Sequence, residues 1–342
     1  PPEIAWEGRS LELMVDPTHE WATGFEASGG TDSPDYDGTR RWFERLVDES
    51  DDLEFLSLGL SPERRDIYAV VASGEGAFDL EELRASDRPL VFAHAGIHSG
   101  EIDGKDAGMM LLRDMTVRGT KSEVLDMVNF VFVPIFSVDG HERRGEHNRM
   151  NQRGPNMQGW RTTARNLNLN RDYAKADAVE MRHMLRFLHA IDPDLYLDLH
   201  VTDGADYAYD ITYGANGTHG WSPAIAEWLK DELTPIVDQS LKDMGHIPGP
   251  LIFTVDRLDI AKGMYEWTAG PRFSNGYGDA RHIPTILLEN HSLKPYRQRV
   301  LGTYVFLEAC MLAVARDVER LRGAIAVDRQ RIDSRQHLGY ES

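Results

Sequence analysis

The stretch PLVFAHAGIHSGE, residues 89–101, begins as an apolar run and ends in a histidine and a glutamate three positions apart. The apolar run predicts a buried strand, and the glycines at 96 and 100 allow a tight turn after it. Imidazole nitrogen and carboxylate oxygen both bind zinc, so His98 and Glu101 are candidate metal ligands. The pair alone is a weak signal, because His-x-x-Glu also occurs by chance.

Two other apolar runs also end in side chains that suit a metal site. His200 closes the run DLYLDLH, and Glu289 lies near the end of IPTILLEN. In open α/β sheets, binding sites form beyond the carboxyl ends of strands, so both residues can meet His98 and Glu101 there. His98, Glu101 and His200 would leave zinc a position for water, and Glu289 would serve as general base. The competing interpretation is a structural histidine and a partly exposed glutamate.

The rest of the chain predicts alternating strands and helices. The predicted strands are 53–60, 66–73, 89–95, 127–136, 194–200 and 283–290. The predicted helices are 39–50, 104–117, 178–190, 222–244 and 296–322, and Pro235 should bend or break the fourth. The first two strands are close enough to pair antiparallel, and the strand at 127–136 has no polar face. The pattern predicts one α/β domain around a mainly parallel or mixed sheet.

We expect three regions along the chain. Residues 1–38 are irregular and rich in Gly, Asp, Ser and Pro, and should wrap the domain. Residues 39–325 should form a single catalytic domain, and residues 326–342 a C-terminal tail. Within the domain, residues 137–175 lack periodicity and are dense in Arg and Asn, which favours a functional loop that binds an anion.

Composition excludes several classes of function. The formal charge of −19 would repel phosphate backbones, so no nucleic-acid partner is expected. No apolar run is long enough to predict a membrane-spanning helix. The single cysteine, Cys310, excludes disulfides within the chain. The chain starts at Pro1 without an initiator methionine, which gives a weak preference for an exported protein whose signal has been removed.

Together these motifs resemble the zinc metallocarboxypeptidases related to carboxypeptidase A. The resemblance runs from about residue 40 to 322 and rests on order: His-x-x-Glu, then Trp160-Arg161, then Asn170-Arg171, then a strand-ending histidine, then a strand-ending glutamate. It implies a three-layer α/β/α sandwich with a central mixed, mostly parallel sheet. It also implies one zinc ion per chain and hydrolysis of the C-terminal peptide bond through a zinc-bound water.

The resemblance also implies a role for each matching residue. Zinc would be held by His98, Glu101 and His200, while Glu289 would promote the attack of water. Arg161 would polarise the scissile carbonyl, and Asn170 and Arg171 would hold the substrate's terminal carboxylate. A substrate-capping tyrosine is expected some twenty residues before the base, where Tyr265 is a loose match.

Three departures indicate a divergent, bacterial branch. Gly100 replaces the arginine that pancreatic-type enzymes carry just before the ligand glutamate, and SVDG (137–140) replaces Asn-Pro-Asp-Gly. The tyrosine match is the third. One of two arginines, Arg272 or Arg281, would favour an acidic terminal residue; the preferred alternative is that both are surface or structural residues.

Two other functions stay open. One is a same-fold amide hydrolase, either an N-acyl amino acid deacylase or a cell-wall γ-glutamyl peptidase, that would use the same metal ligands and base. The other is a catalytically inactive module that binds peptide or glycan ends, against which the presence of Glu289 argues. In the enzymatic readings the partner is a peptide or acyl amino acid with a free carboxylate.

Overall fold

Eight strands form one mixed sheet at the centre of the molecule. The computed structural model describes residues 4–256 and 258–334. The strands of the large sheet are β1 (Leu53–Leu60), β2 (Asp66–Ala72), β3 (Leu90–Ala95), β4 (Asn129–Val133), β5 (Leu195–Val201), β6 (Ile211–Gly214), β7 (Pro248–Pro250) and β10 (Thr285–Asn290). Two further strands, β8 (Ile252–Thr254) and β9 (Met264–Glu266), make a separate antiparallel hairpin.

The order of strands is β1-β2-β4-β3-β5-β10-β6-β7. The four central strands, β4, β3, β5 and β10, run parallel, while β1 pairs antiparallel with β2. Parallel neighbours end at the same edge, which brings the carboxyl ends of β3, β5 and β10 together. The predicted antiparallel pair and the mixed, mostly parallel sheet are confirmed.

Helices cover both faces of this sheet. They are α1 (Gly24–Ala27), α2 (Tyr36–Glu49), α3 (Leu80–Ala85), α4 (Asp103–Met115), α5 (Ser122–Leu125), α6 (Val138–Glu142), α7 (Val179–Ile191), α8 (Pro223–Trp228), α9 (Thr234–Asp243), α10 (Ser274–Ala280), α11 (Tyr296–Arg316) and α12 (Val318–Ser334). Short 3-10 turns occupy Arg9–Leu13, Leu169–Arg171 and Ile260–Lys262.

The two faces can be assigned from residues that alternate along β3. Phe92 meets Phe187 of α7, with ring centroids 5.5 Å apart. Ala95, on the opposite face, lies beside Gly104 of α4, where an added Cβ would be 3.1 Å from the alanine. Because successive side chains of a strand point to opposite faces, α4 and α7 sandwich the sheet. The predicted three-layer α/β/α architecture is confirmed.

Two predicted helices differ from the observed ones. The helix expected at 222–244 is interrupted, since α8 passes through a π-helical turn, Leu229–Leu233, before α9. Pro235, predicted to bend or break this helix, lies at the start of α9, where it cannot donate a backbone hydrogen bond. The prediction of a single closing helix at 296–322 was wrong. Helix α11 ends at Arg316, and α12 begins after Asp317, which is non-helical with φ −149°.

Helix α11 is long and apolar enough, by length and composition, to cross a membrane, contrary to the expectation that no apolar run could do so. However, 83% of its apolar window is buried inside the fold, as in the core helices of soluble proteins. It packs against α4 and α9, and Cys310 on it is a buried free thiol.

Helical segments occur near both ends of the described part of the chain. Residues 9–13 and 24–27 form short helical turns within the expected N-terminal wrap. Helix α12 extends through residues 326–334 of the expected tail, while residues 335–342 lie outside the described part. The three-region division stays a prediction.

Candidate metal and catalytic site

The candidate site lies where β3, β5 and β10 end. His98 and Glu101 stand in the turn between β3 and α4, and the Glu101 amide donates to the His98 carbonyl at 2.8 Å. His200 lies in β5, and Glu289 in β10 is its register partner. The strands thus bring together side chains that are far apart in sequence.

Three of these side chains form a candidate metal site. One ligand atom each from His98, Glu101 and His200 lies within 4.8 Å of the other two, and all three residues are buried. His98 Nδ1 is 3.1 Å from Glu101 Oε1, and His200 Nδ1 is 2.8 Å from Glu101 Oε2. Two imidazoles and a carboxylate converging on one point are the donor set that zinc prefers in catalytic sites. The residues present therefore fit the ion.

The groups around Glu101 favour the ionised form of its carboxyl group. Burial acts to raise the pKa of its carboxyl, but the positive charge of Arg149 and the contacts with His98 and His200 outweigh burial and hold the pKa well below its usual range. The carboxylate is therefore ionised at neutral pH, the form in which it binds a metal.

Each candidate histidine ligand also has a partner on its outer nitrogen. His98 Nε2 is 3.0 Å from the Asn168 side-chain oxygen, and His200 Nε2 is 2.8 Å from Asp198 Oδ2. Asp198 is fully buried, accepts from the Ser274 hydroxyl and lies 3.2 Å from His94 Nε2. Such partners fix the orientation of a metal-binding imidazole. Neither residue was identified from sequence, although a carboxylate two positions before His200 on the same face of β5 was a usable signal.

Glu289 has one buried carboxylate oxygen without a partner in the described part of the chain, and a carboxyl group with a raised pKa. Its Oε2 atom is buried and has no hydrogen-bond partner among the described residues. Burial, reinforced by the negative charges of Glu101 and Asp203, raises the pKa of Glu289 to about 8, against the opposing influence of His200. A buried carboxylate oxygen without a partner is costly, and such exceptions concentrate where a ligand or reaction uses the atom.

The predicted cations enter from the long loop. Arg161 Nη1 is 3.0 Å from Glu101 Oε1, and a third of its side chain is exposed. Asn170 Nδ2 is 3.3 Å from His200 Nε2, while its oxygen accepts from the Ser274 amide at 3.1 Å. Arg171 stacks on Phe273, with its guanidinium 4.3 Å from the ring centroid. Burial and the charges of Arg161 and Arg272 lower the pKa of Arg171, as expected for clustered cations.

Tyr265 lies outside this cluster. It belongs to the β8–β9 hairpin, is 46% exposed, and its ring centroid is 6.2 Å from that of Phe253. Ring contacts continue from Phe253 to Trp267 at 5.2 Å and from Trp267 to Phe273 at 4.5 Å. The hairpin therefore adjoins Arg171 through Phe273, and the capping role of Tyr265 stays a prediction.

Two further residues near the site, Tyr207 and Arg149, were not predicted from the sequence. Tyr207 is partly buried near Glu289: burial and the charge of Glu289 raise the pKa of the phenol, against its hydrogen bonds with Thr212 and Thr202. Arg149 places Nη1 2.7 Å from Glu101 Oε1. Neither lies in a motif with recognisable spacing, because both come from irregular loops.

The arginines proposed for side-chain preference differ in position. Arg272 lies beside the Arg171 platform, 4.7 Å from the Phe273 ring centroid. Arg281 instead contacts His189 Nδ1 at 3.3 Å in an exposed pair. Of the two, only Arg272 shares a contact with the residues expected to hold the substrate carboxylate.

Comparisons with known proteins agree with this geometry. The sequence profile of the zinc carboxypeptidase family matches residues 39–246, more than half of the chain. A search of the curated proteins found no match.

Three solved structures illustrate the similarity of fold. A metallo-carboxypeptidase from Burkholderia cenocepacia is 18% identical, with a TM-score of 0.57 over 80% of this chain and 68% of that one. A metallo-carboxypeptidase from Pseudomonas aeruginosa, in complex with (2-guanidinoethylmercapto)succinic acid, is 17% identical, with a TM-score of 0.57 over 84% and 70%. The carboxypeptidase A of Helicoverpa armigera is 15% identical, with a TM-score of 0.56 over 86% and 74%. These structures share the fold of the chain, and the family profile identifies the chain as a member of the zinc carboxypeptidase family, hydrolases that act on peptide bonds.

Proposed function

We propose that this protein is a zinc-dependent carboxypeptidase that removes the last residue of a peptide, with Glu289 as the general base. The observation that carries the proposal is the unpartnered, buried Oε2 of Glu289 on the strand beside His200. A zinc ion held by His98, Glu101 and His200 would polarise the scissile carbonyl and make a water molecule more acidic.

Glu289 has the properties that a general base requires here. Its buried oxygen can take a proton from the attacking water and return it to the leaving amine. A raised pKa makes the Glu289 carboxylate a stronger base for the first transfer, and positive charge brought into the site favours the ionised form that this transfer needs. The site therefore holds one carboxyl group for metal binding and another for proton transfer.

Arg161 and Arg171 would bind different parts of the substrate. Arg161 has an exposed part that can donate to the carbonyl oxygen as negative charge develops on it. Arg171, supported by Phe273, offers its planar fork to the substrate's terminal carboxylate, and Asn170 lies next to it in the chain. The neighbour solved with a succinic acid derivative supports a ligand that carries carboxylates.

The test is the Glu289→Gln variant, which keeps the shape of the side chain and removes the base. We expect zinc content to be unchanged and kcat on a blocked C-terminal dipeptide to fall on the order of 10²–10⁴-fold. Glu227→Gln, on the exposed surface of α8, is the matched control and should retain full activity. Unchanged turnover by Glu289→Gln would disprove the mechanism.

A substrate panel separates the alternatives. Blocked peptides ending in Glu, Phe or Lys should be cleaved, while N-acyl amino acids and γ-glutamyl peptides should be poorer substrates. Preference for the latter two would favour the amide-hydrolase alternative. Zinc binding without hydrolysis of any of these compounds would favour the inactive binding module.

A further inference from the structure

Gly100 and Arg149 occupy one space in the structure. A Cβ added at Gly100 would lie 2.5 Å from Arg149 Cδ, 2.9 Å from Arg149 Cγ and 2.9 Å from the backbone carbonyl oxygen of Gly159. Such distances are well inside van der Waals contact, so a side chain at position 100 would push Arg149 away. The glycine beside the metal ligand thus makes room for an arginine from the long loop.

The guanidinium of Arg149 joins two strand ends. Its Nη1 donates to Glu101 Oε1 at 2.7 Å, in the turn after β3. Its Nη2 donates to the carbonyls of Val201 and Thr202 at 3.2 Å each, directly after His200 on β5. Only 8% of the Arg149 side chain is exposed. Buried charge-assisted hydrogen bonds of this kind impose geometry as well as energy.

Gln152 closes the arrangement. Arg149 Nε donates to Gln152 Oε1 at 2.7 Å, and Gln152 Nε2 donates to the Gly100 carbonyl at 2.8 Å. The arginine is therefore held by the same turn that it positions. On the other Glu101 oxygen, the Val201 amide donates to Oε2 at 3.2 Å. Both carboxylate oxygens are tied to the segment that carries His200.

From this geometry we infer that Arg149 is a positioning residue for the metal ligand Glu101, and that Gly100 is required because it admits the arginine. The inference rests on the proposed function in that it takes the metal to bind at His98, Glu101 and His200. The guanidinium reaches Glu101 from another segment of the chain, through the space that the missing side chain of Gly100 leaves open. Arg149 acts through Glu101, and its nitrogens are directed at protein groups.

The test measures the zinc dissociation constant of the full chain by competition with a chelator. Arg149→Ala should bind zinc at least about tenfold more weakly, the effect typical of losing a partner of a metal ligand. Gly100→Ala should weaken zinc binding similarly, although it removes no charge. With saturating zinc, Arg149→Ala should lower kcat and leave KM for the peptide unchanged, because the residue contacts the metal ligand.

A double variant that combines Gly100→Ala with Arg149→Ala tests whether the two residues act through one contact. If Gly100→Ala acts by displacing Arg149, the double variant should bind zinc as weakly as Arg149→Ala alone, since the two effects share one contact. Arg165→Met, an exposed arginine of the same loop, and Gly217→Ala, where an added Cβ meets nothing within 4 Å, are the matched controls. Gly100→Ala keeps the inference testable if Arg149→Ala fails to fold.

The outcomes distinguish the inference from the proposed function. Wild-type zinc affinity in Arg149→Ala would overturn the role of Arg149, and additive losses in the double variant would overturn the role of Gly100 in admitting it. Either result would leave the proposed function intact. A raised KM with unchanged zinc affinity would also overturn it, by showing a substrate contact. A wild-type protein that binds no zinc would contradict both.

Discussion

At the scale of single residues, Asp198 is a buried carboxylate that contacts the candidate metal ligand His200. It is fully buried, within 2.8 Å of His200 Nε2 and within 3.2 Å of His94 Nε2. Burial opposes ionisation, but the charges of His200 and His94 lower the pKa of Asp198 to about 2, so the carboxylate stays charged. A charged partner on one nitrogen strengthens the other nitrogen as a ligand.

Replacing Asp198 with asparagine should therefore weaken zinc binding. The amide keeps the size of the side chain and removes its charge, so we expect a loss of about 10- to 100-fold in zinc affinity, measured by chelator competition. Asp231→Asn, an exposed residue of the π-helical turn, is the control. A change of less than about twofold would show that Asp198 serves folding and not the metal.

The candidate ligands and base could be predicted because each ends an apolar run, where a polar residue stands out. Asp198 lies inside such a run, where its position two residues before His200 was a usable signal, whereas Arg149 lies in a loop without periodicity and does not stand out. Their partners come from other segments of the chain, such as His94 for Asp198 and Gly100 for Arg149. Such pairs become visible only when the strands are side by side.

At the scale of elements, helix α4 shows packing overriding helix propensity. Gly108 lies in its interior, where alanine would ordinarily be preferred by up to about 1 kcal/mol. However, a Cβ at Gly108 would lie 2.2 Å from Cζ of Phe132 on β4, so the glycine lets the helix approach the sheet. This close approach places the start of α4, and the turn bearing Glu101 before it, against the strand ends.

We predict that Gly108→Ala lowers the free energy of unfolding by about 1–3 kcal/mol, the usual cost of overpacking a core. Gly323→Ala in α12 is the matched control, because its added Cβ meets nothing within 4 Å. That variant should raise stability by up to about 1 kcal/mol. Urea unfolding of both measures the difference, and equal stabilisation by the two substitutions would contradict the packing argument.

At the scale of the whole molecule, the acidic chain encloses buried neutral histidines. His141 is 1% exposed, with Nδ1 2.7 Å from Glu142 Oε1 and Nε2 3.3 Å from the Lys105 ammonium. Burial, with the charges of Lys105 and Arg144, lowers the pKa of His141 to about 4, although Glu142 opposes the shift. Unfolding restores an ordinary histidine, so the unfolded chain binds more protons between the two values.

Stability should consequently fall as pH decreases. The contribution of His141 is fully present above the unfolded pKa of about 6.5 and is lost as pH falls through the folded pKa of about 4, at most about 3 kcal/mol. His141→Gln should make the unfolding free energy less dependent on pH in that range, as measured by urea titrations. His219→Gln, at an exposed histidine, is the control. An unchanged pH dependence in His141→Gln would contradict the prediction.

The sequence by itself was enough to predict the α/β alternation, the family, and His98, Glu101, His200, Glu289 and Arg161 as candidate site residues. It could do so because strand burial and ligand chemistry are local properties of short segments. Only the tertiary structure decided which groups support that set. Asp198 behind His200 and Arg149 over Gly100 depend on distances between segments far apart in the chain, and pairing of the strands sets those distances.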